Sequence, residues 1–87
     1  MKRGRLPSTA LRSFEAVGRL LSFTRAAGEL HVSQAAVSRQ VRELELLLET
    51  RLLVRAHRTV SLTPAGGELL NGLSASFDAI DASLERI

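Results

Sequence analysis

The chain has 87 residues, of which 45 % are hydrophobic, and its 12 Lys and Arg against 9 Asp and Glu give a net charge of +3. This length allows one domain, or one domain with an additional element, and the apolar content is enough for a small core. Cysteine is absent, which excludes disulfide frameworks, thiolate zinc sites and cysteine nucleophiles. Aliphatic runs of at most three residues cannot span a bilayer, and no apolar signal-peptide core follows the basic start Met1–Arg5. We therefore expect a cytoplasmic, α-rich domain.

The charges are unevenly distributed along the chain. Residues 1–58 carry 11 basic and 5 acidic side chains, whereas residues 59–87 carry one basic and four acidic side chains. This segregation favours a first part that faces a polyanion and a second part with another task. An unevenly charged, solvated surface is the alternative that charge alone leaves open.

The first 30 residues predict two helices. Pro7-Ser8 is typical of a helix start with Ser8 as the N-cap. Ser22 predicts the cap of a second, short helix, Phe23–Leu30, whose alanines leave room for a neighbouring helix. One apolar face of the first helix follows spacings of three and four residues: Leu11, Phe14, Val17, Gly18 and Leu21.

A third helix with two distinct faces is predicted from Gln34 to about Leu48, capped by Ser33. At roughly 100° per residue, its apolar residues fall within about 60° of one another, and they are Val37, Val41, Leu44 and Leu48. A polar arc is centred about 120° away from them, and it contains Gln34, Ala35, Ser38, Arg39 and Arg42.

Two short stretches rich in β-branched and aliphatic residues follow, 52–55 and 59–62. They predict a small antiparallel hairpin whose tip carries Arg55, His57 and Arg58. Thr63-Pro64 then indicates the N-cap and first position of a fourth helix, 64–87.

The fourth helix has the cleanest apolar periodicity in the chain. Its stripe lies within an arc of about 100°, and it consists of Leu69, Leu70, Leu73, Phe77, Ile80, Leu84 and Ile87. At about 36 Å the helix is too long for an 87-residue globule to cover. We therefore expect a homodimer, and the predicted dimer contacts are Leu73, Phe77, Ile80, Leu84 and Ile87.

Two helices joined by a short turn, the second with a polar outer face, are the parts of a helix-turn-helix. Its second helix enters the major groove of double-stranded DNA. There, Arg39 and Arg42 could bind guanine, and Gln34 could pair with adenine. Ser38 could contact a base or a phosphate, and Ala35 could lie against a thymine methyl group. The basic hairpin would reach the minor groove or flanking phosphates.

The residues also resemble a known family. From residue 6 to residue 70 the chain is similar to the N-terminal winged helix-turn-helix of LysR-type transcriptional regulators, and it carries several family motifs in order. These are Leu11-x-x-Phe14, Ser-Phe-Thr-Arg-Ala-Ala at 22–27, Leu-His-Val-Ser-Gln-Ala-Ala-Val-Ser-Arg-Gln-Val at 30–41, Leu44-Glu45 and Leu-Thr-Pro-Ala-Gly at 62–66.

The resemblance implies a mainly α fold, a winged helix-turn-helix of three helices and a two-stranded β-wing followed by a long dimerising linker helix. It divides the chain into a DNA-binding domain, 1–63, and a linker helix, 64–87. Family members continue into an effector-binding domain, so a small-molecule effector would act only through a domain not present in this chain. The implied function is sequence-specific DNA binding by a bacterial transcription regulator, dimeric on an inverted repeat.

Carried over by motif and position, the base contacts would be Gln34, Ala35, Ser38 and Arg39. The resemblance also implies a contact by Arg58 in the wing, and the full set of expected backbone or minor-groove contacts is Ser33, Arg25, Arg42, Arg55, His57 and Arg58. This chain departs from the family pattern where it has Ala35 in place of a frequent proline, Leu53 in place of a usual phenylalanine, and a second glycine, Gly67.

Other interpretations remain at this point. A winged helix can serve as a protein-interaction module without sequence-specific DNA binding. Arg25 could pair with Glu29 four residues on instead of touching a phosphate, and Arg19 is expected to be solvated. No nucleophile, base and orienting group converge, so we predict no enzyme, and the helix-three carboxylates Glu43, Glu45 and Glu49 are assigned to solubility and to pairing with Arg39 and Arg42. We also predict no cofactor and no metal site, since no His or Asp cluster accompanies His31 and His57.

Overall fold

The structure, a computed structural model, describes residues 3–87. After a 3-10 turn at Arg3–Arg5, its elements are α1 (Ser8–Leu20), α2 (Phe23–Leu30), α3 (Gln34–Leu48), β1 (Leu53–Ala56), β2 (Thr59–Leu62) and α4 (Pro64–Glu85). Met1 and Lys2 lie outside the described residues. They are the first residues of the predicted domain 1–63 and of the basic start Met1–Arg5. The predicted fold class is confirmed: three helices, a two-stranded antiparallel wing and a long C-terminal helix.

Local side-chain chemistry fixes where the helices begin. At three predicted caps, the side-chain oxygen accepts a hydrogen bond from the backbone N–H three residues on, at 3.0–3.1 Å, namely at Ser22, Ser33 and Thr63. The prediction for the first helix is wrong by one position. Ser8 is the first helical residue, and Pro7 occupies the N-cap without a side-chain hydrogen bond.

The first three helices end alike. Leu21, His31 and Glu49 follow α1, α2 and α3 with φ of 50°, 57° and 51°, the left-handed conformation in which a helix C-cap turns the chain away. Leu21 was expected on the buried face of α1. Because the turn at this residue redirects its side chain, Leu21 is exposed.

The core is centred on α1, which packs against α2, α3 and α4. Phe14 and Val17 are fully buried there. From α3, the predicted residues Val37, Val41 and Leu44 are buried as well. Leu48 is exposed, since α3 ends at this residue, beyond the helices that cover the rest of its apolar stripe.

The wing is a two-stranded hairpin whose base is anchored in the core. Leu53 pairs with Leu62 and is buried, whereas Arg55 pairs with Val60 in the middle of the ladder. A two-residue turn, His57 and Arg58, joins the strands. The hairpin prediction is confirmed, but Arg55 does not lie at the tip.

Helix α4 has 22 residues and is therefore about 33 Å long. Its first half belongs to the core of the domain. Leu73, predicted as a dimer contact, is only 9 % exposed and packs within its own chain. This part of the prediction is corrected, because burial in the core of its own chain leaves Leu73 little surface for a second copy.

The second half of α4 extends away from the domain. Phe77 is half-buried against the core, whereas Ile80 and Leu84 are 54 % and 66 % exposed, and Ile87 beyond the helix is also exposed. The division into 1–63 and 64–87 stays a prediction. Within the described part of the chain, no helix is both long and apolar enough to cross a membrane.

Candidate nucleic-acid interface

The turn between α2 and α3 places the start of α3 at the surface. His31 adopts the left-handed conformation, and the backbone N–H groups of His31 and Val32 both donate to the carbonyl of Ala27. Ser33 then caps α3. Ala26 and Ala27 are buried, and their small side chains allow α2 to lie close to its neighbours. This arrangement leaves the first two turns of the polar face of α3 open to solvent.

An open cleft of about 420 Å³ lies between α3 and the wing. Gln34, Ala35 and Ser38 line it from α3, and Arg55 and Arg58 line it from the wing. Five predicted contact residues, far apart in sequence, therefore share one surface. The cleft is cationic and carries the hydrogen-bonding groups of α3.

Arg55 connects the wing to α3. Its Nη1 donates a hydrogen bond to Ser38 Oγ at 2.7 Å, and its guanidinium carbon lies 4.3 Å from the centre of the Phe23 ring. The pKa of Arg55 is lowered below its ordinary value. The main cause is burial of the guanidinium, and the second is repulsion from the positive charge of Arg42. Phe23, the first residue of α2, thus forms a platform at the interface that was not among the predicted site residues.

Arg42 belongs to a second cleft of about 650 Å³, which it lines together with Arg51 and Arg55. Glu45 and Glu49 are the acidic residues at this cleft, and the side chain of Glu45 is only 11 % exposed. Its Oε2 accepts hydrogen bonds from two backbone N–H groups at the start of the wing, those of Leu52 at 2.8 Å and Leu53 at 3.2 Å.

Glu45 is therefore the anchor of the wing, a role that the sequence analysis did not find. A signal for it was present. Four residues after Val41, Glu45 lies about 40° from the apolar stripe of α3. A carboxylate at the border of a buried face needs hydrogen-bond donors, and the entry of β1 supplies them.

The remaining predicted contacts are exposed but do not line the cleft between α3 and the wing. Arg39 is 66 % exposed, and its Nε lies 3.9 Å from Glu43 Oε1, in agreement with the predicted pairing. Ser33 uses its oxygen as a cap acceptor. Arg25 and His57 are exposed at the start of α2 and at the tip of the wing.

Arg19 is exposed, as expected, but it also pairs with two carboxylates, and the alternative Arg25–Glu29 pair is not formed because Glu29 bonds Arg19 instead. Arg19 Nη1 donates to Glu29 Oε1 at 3.1 Å, and Arg19 Nε donates to Glu15 Oε2 at 3.0 Å. The hydrogen bond to Glu29 is the main cause that raises the pKa of Arg19, and the hydrogen bond to Glu15 is the second. The hydrogen bond from Arg19 in turn lowers the pKa of Glu29. Sequence spacing alone does not show that α1 and α2 meet here.

Across residues 3–87, His, Asp and Glu side chains form no group of three that could hold a metal ion. What the two clefts combine is cationic side chains with hydrogen-bonding groups on an exposed helix. Such a surface can bind an anionic polymer and distinguish its functional groups.

Comparison with known proteins places this arrangement in a family. The profile described as "Bacterial regulatory helix-turn-helix protein, lysR family" matches residues 8–67. The chain belongs to the LysR family. This is a family of DNA-binding transcription regulators and not of enzymes. The HTH-type transcriptional activator AmpR of Providencia stuartii is 55 % identical over 84 residues, which cover 97 % of this chain and 29 % of the relative.

Two solved structures show the same architecture. The oxidized form of OxyR from Corynebacterium glutamicum superposes with a TM-score of 0.85 at 33 % identity, covering 98 % of this chain and 28 % of that one. The BenM DNA-binding domain in complex with catB site 1 DNA gives a TM-score of 0.82 at 35 % identity, over 90 % of this chain and 87 % of that one. The chain thus spans less than a third of the curated AmpR relative but nearly all of an isolated DNA-binding domain.

Proposed function

We propose that the chain binds double-stranded DNA sequence-specifically, with α3 in the major groove and the wing, residues 53–62, on the minor groove and backbone. The observation that carries the proposal is the shared cleft, in which the polar start of α3 faces two wing arginines. A helix with an exposed polar face enters the major groove, and a basic hairpin beside it reaches the adjacent backbone. The solved BenM complex, with DNA bound to a domain of the same fold, supports this mode.

The base contacts are proposed for four residues on the first half of α3. Gln34 would pair with adenine, and Arg39, held only loosely by Glu43, would swing onto guanine O6 and N7. Ser38 and Ala35 lie between them on the same face. With a methyl side chain, Ala35 offers apolar contact to a thymine methyl group but no hydrogen bond.

The backbone and minor-groove contacts are proposed for residues around the base-contacting surface. Arg42 and Arg55 meet at one cleft and would neutralise a phosphate. Arg58, at the tip of the wing, would enter the minor groove with His57 beside it. Ser33 and Arg25, at the starts of α3 and α2, would contact phosphates, which helix N-termini also favour.

We propose further that two copies bind together through α4. The exposed apolar residues of its second half lie beyond the core of one chain, and a second copy of this helix would bury Phe77, Ile80, Leu84 and Ile87. A two-fold dimer would present two copies of α3 to an inverted-repeat operator. Such a regulator acts in the bacterial cytoplasm, and an effector would bind to a domain outside this chain.

The test is selection from a randomised DNA pool at two salt concentrations, with sequencing of the bound fraction. We expect an inverted repeat with half-sites about one helical turn apart. Arg39→Ala should weaken binding to the selected site by roughly 1–3 kcal/mol and relax base preference at one position of each half-site. Arg12→Ala, which removes one cation from α1, is the control and should retain the preference.

Two results would contradict the proposal. Uniform binding that falls steeply with salt would mean that the chain holds only phosphates. No binding at either salt concentration would favour the alternative, a winged-helix module for protein interaction. An unchanged preference in Arg39→Ala would remove this residue alone from the base contacts.

A further inference from the structure

A polar contact joins α1 to the middle of α4, far from the DNA-facing surface. Ser74 Oγ donates a hydrogen bond to Glu15 Oε2 at 2.9 Å, across 59 positions of sequence. One helical turn further along α1, a Cβ on Gly18 would lie 3.2 Å from a methyl carbon of Leu70. Glu15 and Gly18 therefore face Ser74 and Leu70 in antiparallel order, and the two contacts define the seam between α1 and α4.

Glu15 is held in place from the other side as well. Its carboxylate is 12 % exposed and accepts two hydrogen bonds from Arg19, at 3.0 and 3.1 Å. Arg19 in turn bonds Glu29 of α2. These hydrogen bonds join three helices through one cluster, which consists of Glu15, Arg19, Glu29 and Ser74. The carboxylate of Glu15 can accept all of its hydrogen bonds in only one orientation.

This cluster has no part in the proposed DNA contacts. An ion pair with one nearly buried partner, Glu15, and one exposed partner, Arg19, adds little stability, because desolvation of the buried charge offsets the attraction and solvent screens the exposed one. Hydrogen bonds in fixed directions do, however, restrict the orientation of the elements that they join. The position of the cluster is therefore more informative than its contribution to stability.

The position matters because α4 acts as a lever. The apolar core supports α4 only as far as Phe77, and residues 78–85 are exposed. The end of the helix lies about 16 Å beyond Ser74, so a tilt of about 5° at the seam displaces that end by roughly 1.5 Å. In a dimer joined through α4, both copies would contribute such a displacement to the distance between the two α3 helices.

We infer that Glu15 and Ser74 are positioning residues that set the direction in which α4 leaves the domain, and thereby the half-site spacing of the operator. The inference rests on the proposed function, since it assigns the spacing to a dimer that binds an inverted repeat. Neither residue contacts DNA in this arrangement. Both act through the geometry of α4, so they affect spacing and not the base preference within a half-site.

The experiment is a selection in which two copies of the half-site are separated by spacers of varied length. The variants are Ser74→Ala, which removes the hydrogen bond, and Glu15→Gln, which removes the charge that holds Arg19. Ser76→Ala is the matched control, because Ser76 Oγ donates only to the Gly72 carbonyl of its own helix. Ser74→Thr keeps the hydroxyl and should restore the wild-type result.

We expect one preferred spacing for the wild type and for Ser76→Ala. In Ser74→Ala and Glu15→Gln the preference should broaden or shift by about one base pair, while affinity for a single half-site stays within about twofold of the wild type. Thermal unfolding of each variant identifies any loss of fold, and Ser74→Ala, which deletes one half-buried hydroxyl group, keeps the test available if Glu15→Gln does not fold.

An unchanged spacing preference in a folded Ser74→Ala variant would overturn the inference and leave the proposed function intact. A wild type that selects no half-site at all would overturn the proposed function, and with it the spacing that the cluster is inferred to set. A loss of affinity without any change in spacing would assign Glu15 and Ser74 to stability alone.

Discussion

Arg55 Nη1 lies 2.7 Å from Ser38 Oγ, so that a strand residue of the wing holds a side chain of α3. Ser38 Oγ accepts the hydrogen bond from Arg55 with one of its lone pairs, and the positive charge of the guanidinium disfavours a second donor at this oxygen. Ser38 is therefore biased to donate its own proton, and at DNA it would favour an acceptor such as guanine O6, adenine N7 or thymine O4. The wing thus influences the chemistry of the helix beside it.

The role of Arg55 can be separated from its charge. In Arg55→Met the side chain can still lie on Phe23, but it loses the hydrogen bond to Ser38. We expect binding to the selected operator to weaken by about tenfold, which corresponds to about 1.4 kcal/mol, with a flattened base preference at the position next to Ser38. Titration and selection with the same DNA pool measure both effects.

Arg51→Met is the control for this variant, since Arg51 also lines the cleft beside α3 but pairs with Glu45. It should lower affinity evenly for all sequences and reduce the dependence on salt. If the two variants behaved alike, Arg55 would act as a charge only.

Glu45 carries a prediction about stability. In Glu45→Ala the backbone N–H groups of Leu52 and Leu53 lose their shared acceptor at a partly buried position. Hydrogen bonds to charged groups are worth more than neutral ones, so we expect the free energy of unfolding to fall by about 2–3 kcal/mol. Urea unfolding followed by circular dichroism measures it. Glu43→Ala, on the exposed face of the same helix, should change stability by no more than about 0.5 kcal/mol.

Two adjacent glycines of α4 should respond in opposite directions. A Cβ on Gly66 would lie 2.0 Å from the carbonyl oxygen of Leu52, which belongs to the backbone and cannot move aside alone. Gly66→Ala should therefore destabilise the protein by roughly 3 kcal/mol. A Cβ on Gly67 meets nothing within 4 Å, so Gly67→Ala should stabilise the helix by up to about 1 kcal/mol. Equal effects of the two substitutions in thermal unfolding would contradict this account.

The pair of Arg19 and Glu29 predicts a dependence of stability on pH. Hydrogen bonding to Arg19 lowers the pKa of Glu29 in the folded state. A carboxylate of this kind stabilises the fold above its unfolded pKa, and the contribution disappears as pH falls through the lower, folded pKa. Between about pH 5 and pH 3 the wild type should thus lose more stability than Glu29→Gln.

The difference is small, about 1 kcal/mol or less, because both side chains are exposed to solvent. Urea unfolding at a series of pH values resolves it. Glu68→Gln, which alters a carboxylate of α4 outside the cluster, should follow the wild-type curve. A Glu29→Gln curve parallel to the wild type would show that the pair does not contribute.

Features determined by neighbouring residues were predictable from the sequence. Capping by Ser22, Ser33 and Thr63 is a contact over three positions, and the apolar stripe of α3 follows from helical periodicity alone. The polar start of α3 was predictable for the same reason. Together with the family resemblance, these local signals were sufficient for the fold class and for the side of the molecule on which the candidate interface lies.

Features that depend on how the elements pack were not predictable. Arg55 was expected at the wing tip because the turn has no glycine or asparagine to mark its left-handed position, which Arg58 occupies instead. Leu73 has the same spacing as the exposed residues of its stripe, and only its burial in the core of the folded chain distinguishes it. Glu15 is related to Arg19 by the spacing of four residues within α1, but the second partner, Glu29, belongs to α2, and no sequence spacing relates it to Arg19.

The left-handed backbone of Arg58, with φ of 61°, is the position in the wing that glycine would occupy most easily. Screening variants of this chain for heat resistance alone would favour glycine or asparagine there. Those variants would lack the guanidinium assigned to the minor groove. At this site, selection for thermal stability and selection for DNA binding would favour different residues. A stabilised version of this chain should therefore be selected for DNA binding as well as for heat resistance.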